Sequence, residues 1–166
     1  MKLHLGAGGR ILEGFINLDR NPEHGAIAWE APILSYPDES IDFIYSEHFI
    51  EHLEKPVALS LFKECNRVLK HGGKLRISTP SLAVIVQAYL NNELDIYKTY
   101  GIEYASQCDL LNGALRSWEH IYVWDLSELM LCLEKVGSWS GHRNQGHAGP
   151  LESRPYCRDL ILESTK

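Results

Sequence analysis

Short apolar runs at 2–6, 15–19 (FINLD), 26–29 (AIAW) and 41–46 (IDFIYS) punctuate the first part of the chain. Their length and their β-branched or aromatic content predict strands, because such side chains fit a pleated, half-buried surface. The fourth run suits a central strand buried on both faces, lying beside the first. Before it, APILSYPDES carries turn chemistry at Pro37, Asp38 and Ser40. Pro56 opens a helical stretch with Leu59, Phe62, Cys65, Asn66 and Leu69 at helical spacing, and His71-Gly72-Gly73 ends it. KLRIST at 74–79 is the next strand, closed by Pro80. This alternation predicts an α/β domain with a doubly wound, mostly parallel sheet and right-handed crossovers. Residues 81–97 read as helix, whereas 98–120 show no clean period and suggest a substrate-side excursion. DLSELMLCLEKV at 125–136 is an amphipathic helix that Asp125 or Ser127 would cap. WSGHR (139–143) and RDLILES (158–164) then predict a closing antiparallel pair.

Composition narrows the class. A length of 166 residues, 45% hydrophobic and 23% charged, predicts one soluble globular domain spanning 1–166. No apolar run is long enough to cross a bilayer, and a start that runs straight into the first strand predicts a cytoplasmic protein without an export signal. Cys65, Cys108, Cys132 and Cys157 show no CxxC spacing, so they read as free thiols rather than a zinc knot. A net charge of -6 offers no basic footprint for nucleic acid, so a small-molecule partner is expected. A small sheet with exposed aromatics is also compatible with a homodimer.

The most specific chemistry lies in LHLGAGGRILEGFINLD at 3–19. Gly6, Gly8 and Gly9 form a turn directly after the first strand, and Asp19 ends the second. Glycine lets the backbone turn tightly and approach a ligand, while a carboxylate one strand over accepts hydrogen bonds from a ribose diol. Ile11 stands where a dinucleotide GxGxxG fingerprint needs a small residue. The 13 positions from Gly6 to Asp19 also leave no room for the full crossover helix that would receive a pyrophosphate. A nucleoside cofactor without phosphates fits better.

Together LHLGAGG, NLD, PDESIDFIYSEHFIEHL (37–53) and LFKECNRVLKHGGKLRISTP (61–80) resemble the class I S-adenosylmethionine-dependent methyltransferases over nearly the whole chain. Within that class the chain is similar to a small subgroup with a shortened first crossover and an LESR-like segment, here Leu151 to Arg154. The resemblance implies an enzyme that moves the methyl group of S-adenosylmethionine to a small-molecule hydroxyl or amine and releases S-adenosylhomocysteine. It implies cofactor contacts at Leu5, Gly6, Ala7, Gly8 and Gly9, at Asp19 and Arg20, at Trp29 and Glu30, and at Ser46 and Glu47. His4 replaces the acidic residue often found before the first glycine, which leaves the cofactor's amino group without its usual partner. For an acceptor hydroxyl the candidate bases are His48 and His120, because imidazole titrates near neutral pH.

Three features have plainer readings. His48 and His52 share a helix face, but Phe49 follows the first histidine where HExxH needs glutamate, so no metal is expected. Tyr97, Tyr100, Tyr104, Trp118, Tyr122 and Trp124 suit a pocket wall or a core equally. Lys74 and Arg76 read as a solvated strand end. The competing functional class is a non-catalytic module that binds S-adenosylmethionine or a nucleoside.

Overall fold

The computed structural model describes residues 1–98, 101–144, 151 and 159–166. Seven strands form one sheet: β1 Lys2–Leu5, β2 Ile16–Asp19, β3 Ile27–Ala28, β4 Ile41–Glu47, β5 Leu69–Pro80, β6 Ser140–Asn144 and β7 Asp159–Thr165. Their order is β3-β2-β1-β4-β5-β7-β6. The first five pair in parallel, and β7 runs antiparallel to both β5 and β6, as the closing pair predicts. The chain leaves β1 toward β2 on one side and returns as β4 on the other, so the sheet reverses its winding between β1 and β4. Ligands of open α/β sheets bind at such a reversal, beyond the carboxyl ends of the strands.

The helices are α1 Lys55–Val68, α2 Leu82–Leu90, α3 Gln107–Arg116 and α4 Leu126–Val136. Phe62 and Val68 of α1 and Leu129 and Leu133 of α4 close over Leu3, Leu5, Ile44 and Leu75 to form the main core. The opposite face of the sheet carries a polar row in register, Asn17, His4, Tyr45, Arg76 and Glu163. No helix among the described residues is long and apolar enough to cross a membrane.

Several boundaries depart from the sequence pattern. Helix α1 stops at Val68, because Leu69 is extended and pairs with Ile41 in the sheet. His71-Gly72-Gly73 is therefore part of β5, at an irregularity rather than a helix cap. Gly72 is left-handed there, with φ +79°, and its N–H donates to the Lys166 carbonyl. Helix α2 ends at Leu90, seven residues short of the expected 97, where Asn91 and the left-handed Asn92 turn the chain. The excursion at 98–120 holds α3, capped by the Ser106 side chain accepting from the Asp109 N–H. Residues 6–15 form turns and no helix, so the first crossover is shorter still than expected. Arg76 is 8% exposed and pairs with Glu163 at 3.6 Å, so it belongs to the covered polar row and not to a solvated end. Lys74, by contrast, does reach solvent and pairs with Glu163 at 2.8 Å. Tyr100, Cys157, Arg158 and the LESR-like segment after Leu151 lie outside the described residues.

Candidate functional site

At the reversal point the chain turns at Gly6, whose φ is +66°. A Cβ at Gly6 would come within 2.4 Å of the Phe49 ring, so glycine is required both for the turn and for the close packing of that ring. Gly8, at φ +51°, has nothing within 4 Å of where its Cβ would stand. The turn is closed by two bonds across the strands. Ala7 N–H donates to the Leu18 carbonyl at 3.0 Å, and Gly8 N–H donates to Asp19 Oδ2 at 2.8 Å. Asp19 Oδ1 accepts from Asn21 N–H at 2.8 Å. A carboxylate offers about four lone-pair sites, so both oxygens keep acceptor capacity.

Beyond this turn lies a cavity of about 580 Å³, lined in part by Gly6, Gly8, Asp19, Trp29, Phe49 and His52. That volume is in the range of small-molecule and cofactor sites. Trp29 and Phe49 meet in a tilted pair with ring centroids 5.8 Å apart, and Trp29 Nε1–H donates to the Ile33 carbonyl at 2.6 Å. Arg20 and Glu30 also line the cavity. Arg20 reaches Glu119 at 3.4 Å, a contact that joins the end of β2 to the segment before α4.

A second, smaller cavity of about 180 Å³ shares Gly6 and His48 with the first and adds Ala7, Gly9, Arg10 and Glu47. Arg10 and the buried Glu47 form an ion pair at 2.6 Å. Sequence reasoning missed Arg10, although it follows the glycine turn directly. His4 also borders this cavity. Its Nδ1 lies 3.0 Å from Asn17 Oδ1, which already accepts from the Leu12 N–H, so Nδ1 is the donor. Burial holds the His4 pKa below its ordinary value despite that bond, which keeps the ring neutral.

The remaining sequence candidates fall in different places. Leu5 and Ser46 are 1% and 2% exposed and line neither cavity, so they form the strand ends behind the turn rather than its wall. His48 has left-handed backbone, φ +48°, directly after β4. Its Nε2 is 2.8 Å from Asp159 Oδ2 and its Nδ1 is 3.2 Å from Glu51 Oε1. A carboxylate thus faces each ring nitrogen, at hydrogen-bond distance for Nε2.

His120 is differently placed. The Ile121 and Tyr122 N–H groups both donate to the Glu51 carbonyl, at 2.8 and 3.1 Å. Trp124, fully buried, adds an indole N–H to the Ile50 carbonyl at 3.3 Å. These bonds bring His120 beside the 3-10 turn Ile50–His52, with the two histidine rings 5.3 Å apart. His120 Nδ1–H donates to the Ala114 carbonyl at 3.0 Å, which leaves Nε2 carrying the lone pair. Burial lowers the His120 pKa, so this neutral form prevails near neutrality.

The family described as methyltransferase domain matches residues 17–77, a span that begins after the glycine turn. No curated protein matches the sequence. Among solved structures, an S-adenosylmethionine-dependent methyltransferase from Archaeoglobus fulgidus aligns over 99% of this chain and 85% of its own, with 15% identity and TM-score 0.63. One from Mesorhizobium loti aligns over 99% and 90%, with 14% identity and TM-score 0.59. A chain of the complex containing the Haloferax volcanii Trm112 methyltransferase activator aligns over 99% and 81%, with 14% identity and TM-score 0.59.

Proposed function

We propose that this chain is a class I S-adenosylmethionine-dependent methyltransferase that methylates a small-molecule hydroxyl or amine by in-line displacement, a reading supported by its fold and by the methyltransferase-domain match over residues 17–77. The observation that carries the reading is the cavity between the glycine turn and Phe49. Gly8 opens onto free space and Asp19 retains acceptor capacity beside it, which is the fit a ribose-bearing ligand needs. The absence of any helix at the turn removes the usual pyrophosphate seat and favours a cofactor without phosphates.

S-adenosylmethionine supplies an electrophilic methyl group on a sulfonium sulfur. Asp19 accepts from the ribose hydroxyls, and Trp29 with Phe49 walls the adenine. The turn from Gly6 to Gly9 borders the methionine part. Glu47 replaces the missing acidic residue before Gly6 as partner for the ammonium group, and Arg10 takes the carboxylate. Neutral His4, tied to Asn17, positions the turn instead of offering a charge. On the acceptor side His120 Nε2 takes the proton of a hydroxyl, and His48, held between Glu51 and Asp159, orients the loop after β4. Holding an acceptor in line with the methyl group can contribute about 7–11 kcal/mol to the barrier, so little covalent chemistry is asked of the protein.

The test is calorimetric binding of S-adenosylmethionine followed by detection of S-adenosylhomocysteine across hydroxyl- and amine-bearing acceptors. Binding with turnover supports the enzyme. Binding without turnover on any acceptor indicates the non-catalytic module, and absence of binding overturns both.

A further inference from the structure

We propose that Glu51, His52 and His120 form a binding site for one divalent first-row transition cation at the acceptor side of the cavity. One ligand atom from each of the three lies within 4.8 Å of the other two. The donor set, two imidazoles and one carboxylate, suits zinc, iron or manganese and leaves coordination positions open.

Three observations support a ligand there beyond mere proximity. Both histidines turn Nδ1 toward a backbone carbonyl, His120 to Ala114 at 3.0 Å and His52 to Glu119 at 3.3 Å. That tether is the usual support of a metal-binding histidine, because it fixes the tautomer and presents the Nε2 lone pair. The Glu51 carboxyl is wholly buried, yet Oε1 makes no hydrogen bond of good geometry, its nearest charged neighbour being His48 Nδ1 at 3.2 Å. Oε2 accepts from the Thr79 hydroxyl at 3.0 Å, which holds the carboxylate in place. A buried carboxylate oxygen without a hydrogen-bond partner, beside two imidazoles that present Nε2, is a cation site by ligand type.

Ligands about 2.1 Å from one ion lie about 3.4 Å apart in a tetrahedron, so the set must close by roughly 1.4 Å at most. His52 is the side chain free to move, since its tether is the long one. It also lines the cavity, so an open coordination position would face the acceptor space. The cation would hold an acceptor through a hydroxyl oxygen and acidify it, as divalent ions do for bound water, the proton passing to solvent in the open cavity. This rests on the reading of the cavity as a methyltransferase site, and it turns the His120 lone pair from a base into a ligand.

The test uses the full chain, freed of metal by a chelator and titrated with Zn²⁺ by calorimetry, with Co²⁺ absorption as a second readout. One equivalent is expected, with affinity falling at least 100-fold in both His52→Ala and His120→Ala while the circular dichroism spectrum is unchanged. No saturable Zn²⁺ binding, or binding of equal strength in both variants, overturns the site. S-adenosylhomocysteine is titrated into the same metal-free protein. If it binds while Zn²⁺ does not, only the cation site is wrong; if Zn²⁺ binds while it does not, the cofactor reading fails.

Discussion

Replacing Asp19 by asparagine separates the two tasks assigned to that carboxylate. In the folded chain its oxygens hold the Gly8 and Asn21 N–H groups, both at 2.8 Å, and keep capacity for a ribose diol. Asparagine retains one oxygen and sets an amide donor against one of those backbone donors. A hydrogen bond to a charged group contributes about 1.5–3 kcal/mol, and the low end applies here because Asp19 is half exposed. The loop bond lost in every state should therefore lower unfolding stability by about 1.5 kcal/mol. Losing one ribose hydrogen bond to a charged oxygen adds a comparable amount to the binding free energy, so the dissociation constant should rise roughly 10-fold. The assay is calorimetry with methylthioadenosine and with its 2′,3′-dideoxy analogue on both proteins. If Asp19 receives the diol, the penalty of the substitution is large for the first ligand and nearly vanishes for the second, because the loop bond is lost in free and bound protein alike. Equal penalties for the two ligands, or none for the first, would refute the assignment.

Gly6→Ala should cost about 1–2 kcal/mol for its left-handed backbone and more for driving Phe49 off its seat, whereas Gly8→Ala should cost the backbone part only and act on cofactor affinity; paired thermal melts and titrations check the contrast. Glu47→Gln should weaken S-adenosylmethionine about 10-fold or more while leaving methylthioadenosine, which lacks the amino-acid end, within twofold. Stability should be full above pH 6.5 and fall as the pH drops below it, because burial holds His4 and His120 below that value and the unfolded chain takes up the protons first. Glu51, held below 4.5, adds a further loss under that pH as its carboxylate is protonated. Urea midpoints from about pH 3 to 8 measure both steps, and His4→Asn should flatten the first.

The sheet was legible because each strand carries its own signal. The runs at 2–6, 15–19 and 41–46 match β1, β2 and β4 within a residue, since each carries an apolar row that joins the main core in any tertiary context. Boundaries failed where long-range pairing overrode local chemistry. His71-Gly72-Gly73 looks like a helix end, but Leu69 gains more by burying itself against Ile41 than by extending α1. Helix α3 was missed for lack of a long apolar period: its buried stripe is only Leu110 and Ala114, and Gly113 sits within it to admit Tyr104. Ser106 followed by Asp109 is a capping pattern that marks its start.

The two sides of the site differ in legibility for the same physical reason. The cofactor side is written in consecutive residues: a turn that needs glycine, and an aspartate one strand away, are fixed by spacing alone. The acceptor side depends on the Glu51 carbonyl accepting from Ile121 and Tyr122, a contact between segments 70 residues apart. Nothing in HFIEHL foretells that bond, so His48 and His52 were weighed as a pair on one helix. The structure instead separates them, His48 between two carboxylates and His52 facing His120. Each histidine thus takes its chemistry from what its other ring nitrogen touches. Carboxylates face both nitrogens of His48, whereas a carbonyl on one nitrogen makes His120 a lone-pair donor. The acceptor chemistry therefore follows from second partners, which only the fold supplies.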